Sequence, residues 1–258
     1  MTLTLRAIPA FADNYIWLLH DGRHALVVDP GAAAPVLEAL QNLGLALGAV
    51  LVTHHHGDHV GGIAELLGRH PGAPVYGPAG ETIPGRSVPL SGGECLQLEH
   101  PAVSLSVLAT PGHTRGHLSY YGAGHLFCGD TLFGCGCGRL FEGSAAQMFA
   151  TLENLARLPD DTLLCCAHEY TLGNIRFALT VDAANPVLLA RLGATQELRR
   201  RGAPTLPSRL GLEKATNPFL RCREAALRAS AVRRGAPADS QAVEVFAVVR
   251  KAKDVFRE

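Results

Sequence analysis

No stretch of the chain approaches the roughly 18 consecutive apolar residues that a membrane-spanning helix requires, so no such helix is expected. Charge of either sign is not in excess, with 23 Lys+Arg against 23 Asp+Glu. A balanced chain offers no whole-protein attraction to nucleic acid or to an anionic membrane. Residues Met1 to Tyr15 lack a basic stretch, an apolar run and a small-residue cleavage site, so no secretory leader is expected. The seven cysteines show no C-x-x-C pair. Their odd number, in a chain too long to need disulfide staples, points to a reducing cytoplasm. Cys135-Gly136-Cys137 reads as a packed loop, and Cys165-Cys166 as strand core. Internal repeats and low-complexity segments are also absent.

What is abundant is histidine, twelve in all, three of them consecutive at His54 to His56. With 258 residues, 47% hydrophobic and 18% charged, the chain is globular and long enough for one large domain, or for a medium domain and a small one. Apolar and alternating runs predict strands at residues 3–8, 15–19, 25–28, 49–52, 75–76, 95–98, 103–108, 118–121, 125–128 and 163–166. Helical spacing is expected at 35–43, 61–69 and 145–158. Beyond about residue 170 the pattern turns helical, at 174–181, 186–201, 223–233 and 241–256. The expected organisation is a first domain over 1–170 and a small helical domain over 171–258. Strands with interleaved helices indicate two sheets with helices packed outside.

The chemistry concentrates in Thr53-His54-His55-His56-Gly57-Asp58-His59, directly after a buried strand. Alternate residues of an extended segment point the same way, so His54 and His56 can face one metal. After the turn at Gly57, Asp58 and His59 can aim at a second. Imidazole and carboxylate suit Zn²⁺, and also Fe or Mn. His55 falls out of phase and is assigned to packing or to support of its neighbours. His113, Asp130 and His168 each stand just past a strand end, where ligands from separate strands converge. Asp29 also ends a strand, before Pro30-Gly31. It is either a turn residue or a carboxylate accepting the free N–H of a ligand histidine. His117, His20, His24, His70, His100 and His125 are expected to be structural.

T-H-x-H-x-D-H, then G-H-T, then G-D-T, then a late histidine resembles the pattern of the metallo-β-lactamase superfamily. Within it the chain is similar to the glyoxalase II (hydroxyacylglutathione hydrolase) family. The closer likeness rests on Gly129-Asp130-Thr131-Leu132-Phe133, on residues 136–143, on Ala167-His168-Glu169-Tyr170-Thr171, on Asn217-Pro218-Phe219 and on Arg250-Lys251-Ala252-Lys253-Asp254. The resemblance implies an α/β fold, a βαβα sandwich with a small C-terminal α-helical domain. It also implies two divalent metal ions per chain, zinc with iron or manganese as alternatives. His54, His56 and His113 would hold one ion, Asp58, His59 and His168 the other, and Asp130 would bridge them. A hydroxide bridging the ions, oriented by Asp58, would attack the carbonyl of an S-(2-hydroxyacyl)glutathione thioester such as S-D-lactoylglutathione. Arg139, Arg250 and Lys253 match cationic contacts to the glycine carboxylate, and Tyr170 matches a hydroxyl donor. Phe141 stands where some members carry tyrosine, which removes one hydrogen bond. The implied protein is a cytoplasmic monomer acting on a small molecule in methylglyoxal detoxification, with no nucleic-acid or membrane partner.

Other readings differ in what they require. A lactonase, β-lactamase or nuclease of the same fold would use the same ligands. A periplasmic β-lactamase would carry a leader, and a nuclease a larger basic surface. A mononuclear-iron sulfur dioxygenase would bind one metal and lack the helical tail. A metal-stabilised binding module would have no need of both Asp58 and Asp130.

Overall fold

The computed structural model describes residues 2–257. Its contacts resolve two compact units. Unit 1 comprises Met1–Thr110, Arg115–Gly129 and Cys165–His168; unit 2 comprises Pro111–Thr114, Asp130–Leu164 and Glu169–Glu258.

Unit 1 opens with antiparallel strands β1 (Thr4–Ala10), β2 (Asn14–His20) and β3 (His24–Val28), followed by α1 (Ala34–Leu43) and β4 (Ala46–Leu51). A short turn of helix, α2 (Gly57–Val60), leads into α3 (Ile63–Arg69), β5 (Val75–Pro78) and β6 (Val88–Leu90). The first sheet runs β1-β2-β3-β4-β5-β6, with β3 to β6 parallel. All seven residues of β2 are buried, which matches its continuous apolar run better than an alternating one would. Val27, Val50 and Val75 pack with Val36 and Leu40 of α1 and Ile63 and Leu66 of α3. Helix α1 has Pro35 in its first turn and ends at Gly44, whose left-handed φ of 64° lets its N–H reach back to Gln41 and Leu40 carbonyls.

The unit 1 part of the second sheet is a meander of β7 (Cys95–Glu99), β8 (Ala102–Ala109), β9 (Leu118–Gly122) and β10 (His125–Gly129). Strand β8 alternates, with Val103, Leu105 and Val107 inward and the serines between them exposed. The segment Cys165–His168 is stitched in by Trp17 Nε1 donating to Cys166 O at 2.9 Å and by Tyr15 N donating to Ala167 O at 2.7 Å. A bridge between Asn14 and His168 brings the late histidine to the β1–β2 turn.

Unit 2 contains the hairpin β11 (Leu132–Phe133) and β12 (Gly136–Cys137), then α4 (Ala145–Leu155) and β13 (Leu163–Cys166), whose first two residues belong here. Next come α5 (Thr171–Val181), α6 (Pro186–Arg200), β14 (Ser208–Arg209), α7 (Leu210–Thr216), α8 (Ala225–Val232) and α9 (Ala242–Val255). Ser144 and Gln147 form a capping box on α4, and the Asn185 side chain accepts from the N–H groups of Val187 and Leu188 to start α6. Phe177, Phe219 and Phe246 form an aromatic core.

Below these, Glu213 is fully buried and accepts both guanidinium arms of buried Arg191. Glu213 also accepts the Cys135 N–H at 2.7 Å and the Ser208 hydroxyl. Asn217 Nδ2 donates to Gly136 O at 2.9 Å. Cys135 and Cys137 are therefore packed hairpin residues, and burial pushes the Cys135 thiol up to about 12.

Each predicted strand forms. Helix α4 stops at Leu155, short of Leu158, because Pro159 disfavours helical geometry in the residue before it. Helix α3 starts at Ile63 and not at Gly61, because Gly61 caps α2, donating its N–H to Gly57 O. Strands β6, β11, β12 and β14 and helices α2 and α7 were not expected. β6 contains Pro89, β14 has two residues, and α7 has seven, too few for a period to register. Among the described residues, no helix is long and apolar enough to cross a membrane.

Candidate active site

The functional side chains of unit 1 gather past the ends of parallel β3 and β4. Asp29 N donates to Leu51 O at 2.9 Å, which sets Asp29 level with the end of β4. Its φ of 53° lies in the left-handed region, where aspartate is tolerated better than most residues. That conformation is fixed by what the carboxylate accepts. Oδ1 takes the Thr53 N–H at 2.7 Å, and Oδ2 takes the Thr53 hydroxyl at 2.7 Å and His59 Nδ1 at 3.0 Å. Because the Thr53 hydroxyl proton is spent on Asp29, Thr53 Oγ1 accepts from His54 Nδ1 at 3.1 Å. One buried carboxylate thus sets the tautomer of His59 directly and of His54 through Thr53. Gly31 is required nearby, since a Cβ there would stand 1.8 Å from Asp58 O.

His168 is treated the same way by Asp13, which accepts its Nδ1 proton at 2.9 Å. With both Nδ1 atoms donating, His59 Nε2 and His168 Nε2 present lone pairs. They lie 3.5 and 3.4 Å from Asp58 Oδ2. Asn14 Nδ2 donates to the same oxygen at 3.0 Å. The ligand atoms of Asp58, His59 and His168 all lie within 4.8 Å of one another. With a proton on Nε2 instead, N–H donation from His168 first, and from His59 next, would hold the Asp58 carboxyl well below the usual carboxylate range. Two lone pairs converging on a carboxylate repel unless a cation or proton stands among them, and this nitrogen and oxygen donor set suits a divalent metal. His54 Nε2 and His56 Nδ1 approach each other to 3.0 Å in the same manner.

In unit 2, His113 Nδ1 donates to Arg139 O at 2.9 Å, leaving Nε2 facing Asp130 Oδ2 at 3.5 Å. The Phe141 ring meets the His113 ring edge-on at 5.2 Å. This pair opens into a cavity of about 520 Å³, also lined by Arg139, Tyr170, Arg250 and Lys253. Arg250 is buried, donating from Nη1 to Cys137 O at 2.7 Å and from Nη2 to Asp254 Oδ1 at 3.1 Å. Lys253 Nζ lies 5.3 Å from the Phe256 ring centre, while Arg139 is mostly exposed. Tyr170 precedes α5 with its ring edge against Phe133. All four residues expected to bind substrate line one cavity, and Phe141 is exposed at it.

Within unit 1 the structure brings together Asp29, His54, His56, Asp58, His59 and His168; within unit 2 it pairs His113 with Asp130. His117 donates or accepts with Thr110 Oγ1 at 2.9 Å and stacks on His54 at 4.9 Å. Asp13, Asn14 and Glu81 were missed. Asp13 and Asn14 read only as turn residues, and no local signal separates them from other turn residues.

The family model described as metallo-beta-lactamase superfamily matches residues 11–168, and the one described as hydroxyacylglutathione hydrolase C-terminus matches residues 169–256. A protein of Thiobacillus denitrificans named hydroxyacylglutathione hydrolase is 54% identical over 252 residues, covering 98% of each chain. The chain belongs to the hydroxyacylglutathione hydrolase family of the metallo-beta-lactamase superfamily. A protein of Nitrosomonas eutropha, also named hydroxyacylglutathione hydrolase, is 51% identical over 250 residues, covering 97% of this chain and 98% of that one. Among solved structures, TTHA1623, described as in a di-iron-bound form, is 28% identical with a TM-score of 0.56, covering 80% of this chain and 95% of that one. This hydroxyacylglutathione hydrolase family member is a metal-binding hydrolase with a metallo-beta-lactamase fold and a C-terminal helical domain.

In this family member, Asp13→Ala removes the acceptor that fixes the His168 ring. The expected result is metal affinity about 10- to 100-fold weaker, read by metal content after dialysis against a chelator series. Parent-like retention would mean that His168 needs no such partner.

Proposed function

We propose that the chain hydrolyses S-(2-hydroxyacyl)glutathione thioesters, typically S-D-lactoylglutathione, to glutathione and the hydroxy acid. The observation that carries this is one cavity in which Arg139, Arg250, Lys253 and Tyr170 line the same space as His113 and Asp130. Cations for the carboxylates of a glutathione moiety thus share a cavity with two of the groups proposed to hold metal. The names of the two relatives above support the same substrate class.

His54, His56 and His113 would hold one divalent ion and Asp58, His59 and His168 a second, with Asp130 as a ligand that both would share. Zinc, iron or manganese suit these ligands, and the di-iron form of TTHA1623 supports a two-ion reading. Such ions, when bound, lower the pKa of water toward neutrality and polarise a carbonyl. Asp58 orients the attacking hydroxide. The leaving thiolate has a pKa of about 8.5 and departs without a dedicated acid, which fits the lack of any further assigned acid. Arg139, Arg250 and Lys253 bind the glycine carboxylate, while Tyr170 donates to the peptide portion. Phe141 offers an apolar edge where a hydroxyl would add one bond. Residues 1–170 form the catalytic domain, with the groups proposed to hold metal and with Arg139 and Tyr170, and residues 171–258 form a helical substrate-binding domain that supplies Arg250 and Lys253. Seven free cysteines support a place in the reducing cytoplasm, and the proposed assembly state is a monomer.

The test is loss of the thioester absorbance of S-D-lactoylglutathione with metal counting on the same sample. Two-metal protein that leaves this thioester intact while opening a lactone overturns the substrate reading. Arg250→Ala is expected to raise KM by about 10- to 100-fold, the worth of a charge-assisted hydrogen bond, with kcat nearly unchanged because the contact is equal in ground and transition states. A loss confined to kcat contradicts that role.

A further inference from the structure

His55 stands between two proposed ligands, and its own partner is Glu81. Glu81 Oε2 accepts the His55 backbone N–H at 2.7 Å and His55 Nδ1 at 2.9 Å. The other oxygen, Oε1, accepts the Gly116 N–H at 3.0 Å. The Glu81 side chain is 4% exposed. Its loop is anchored in turn, since Arg86 Nη1 donates to Glu81 O at 2.7 Å and to Pro78 O. A Cβ on Gly116 would stand 2.7 Å from Glu81 Cγ, so this approach requires glycine there. One residue further on, the His117 ring lies over His54 at 4.9 Å with 25° between the planes. A single carboxylate therefore ties the middle of the three-histidine run to the segment whose ring covers His54.

The geometry points to Glu81 as a positioning residue for His54 and His56, one that sets metal affinity without touching metal or substrate. By holding the His55 backbone and ring together, it fixes the alternation that turns the flanking imidazoles to one side. Without it, the His55 and Gly116 N–H groups lose their acceptor, and a bound ion must order the loop itself. That ordering cost appears as weaker binding. The inference rests on the reading of His54 and His56 as metal ligands.

The test is chelator competition for zinc on the full chain, comparing parent, Glu81→Gln and Glu81→Ala. Glutamine keeps one oxygen for His55 but turns an NH₂ toward the Gly116 N–H, so zinc binding is about 10-fold weaker; alanine makes it about 100-fold weaker. At saturating zinc, kcat of Glu81→Gln returns to within about twofold of parent, with KM for the thioester unchanged. Parent-like zinc affinity in Glu81→Gln, with only a lower unfolding midpoint, overturns the inference, because the carboxylate then supports the loop alone. Glu81→Gln decides the matter should the alanine variant fail to fold. A parent that binds zinc yet leaves S-D-lactoylglutathione intact overturns the proposed substrate and leaves the affinity comparison standing.

Discussion

Asp58→Asn is expected to lower kcat/KM for S-D-lactoylglutathione by about 10³-fold, close to 4 kcal/mol on the barrier. The substitution keeps the side-chain volume and removes the charge. In the native site, Asp58 Oδ2 faces His59 Nε2 and His168 Nε2 and accepts from Asn14 Nδ2. An asparagine can keep its oxygen toward Asn14, but a neutral amide oxygen is a poor ligand beside two imidazoles. It also lacks the charge that orients the attacking hydroxide. Both proposed roles of Asp58 are lost together, so added metal restores little. Assay with excess zinc separates the two. Activity within about tenfold of parent would show that another group orients the hydroxide.

The largest expected effect on stability belongs to Glu213→Ala, about 3–5 kcal/mol, read as the shift in urea midpoint. Arg191 is buried, and both of its guanidinium arms meet Glu213. Alanine leaves that charge without a counter-ion and strips the Cys135 N–H of its acceptor. Replacing both partners by apolar residues, Arg191→Met with Glu213→Leu, is expected to cost far less, since a buried pair gains little net stability over well-packed hydrocarbon. A double variant as unstable as the single one would place the cost in lost packing of the β11–β12 hairpin.

The strands and most helices could be read from apolar spacing, because burial of one face imposes a period. The residues proposed as ligands stood out because each stands just past a strand, and because His54, His56, Asp58 and His59 crowd into six positions. The carboxylates that aim the imidazoles were harder. Asp13 meets His168 across 155 positions and Glu81 meets His55 across 26. Any acidic residue could have served, and only the fold selects which. Asp29 was the exception, since its place at a strand end before Pro30-Gly31 singled it out. Glu213 was invisible for another reason: its partner Arg191 lies in a different helix, and a buried ion pair leaves no mark on hydrophobic periodicity.

The interleaving of the two units along the chain has a genetic consequence. Leu163 and Leu164 find their strand partners at Arg209 and Ser208, and the Cys135 amide finds its acceptor at Glu213. A gene fragment stopped at codon 170 would encode these earlier residues and omit their counterparts. The helical tail is thus not a cassette that recombination can add to or delete from a finished enzyme. Any shuffled descendant must inherit the 130–164 stretch and the tail from the same parent, or carry compensating changes in both.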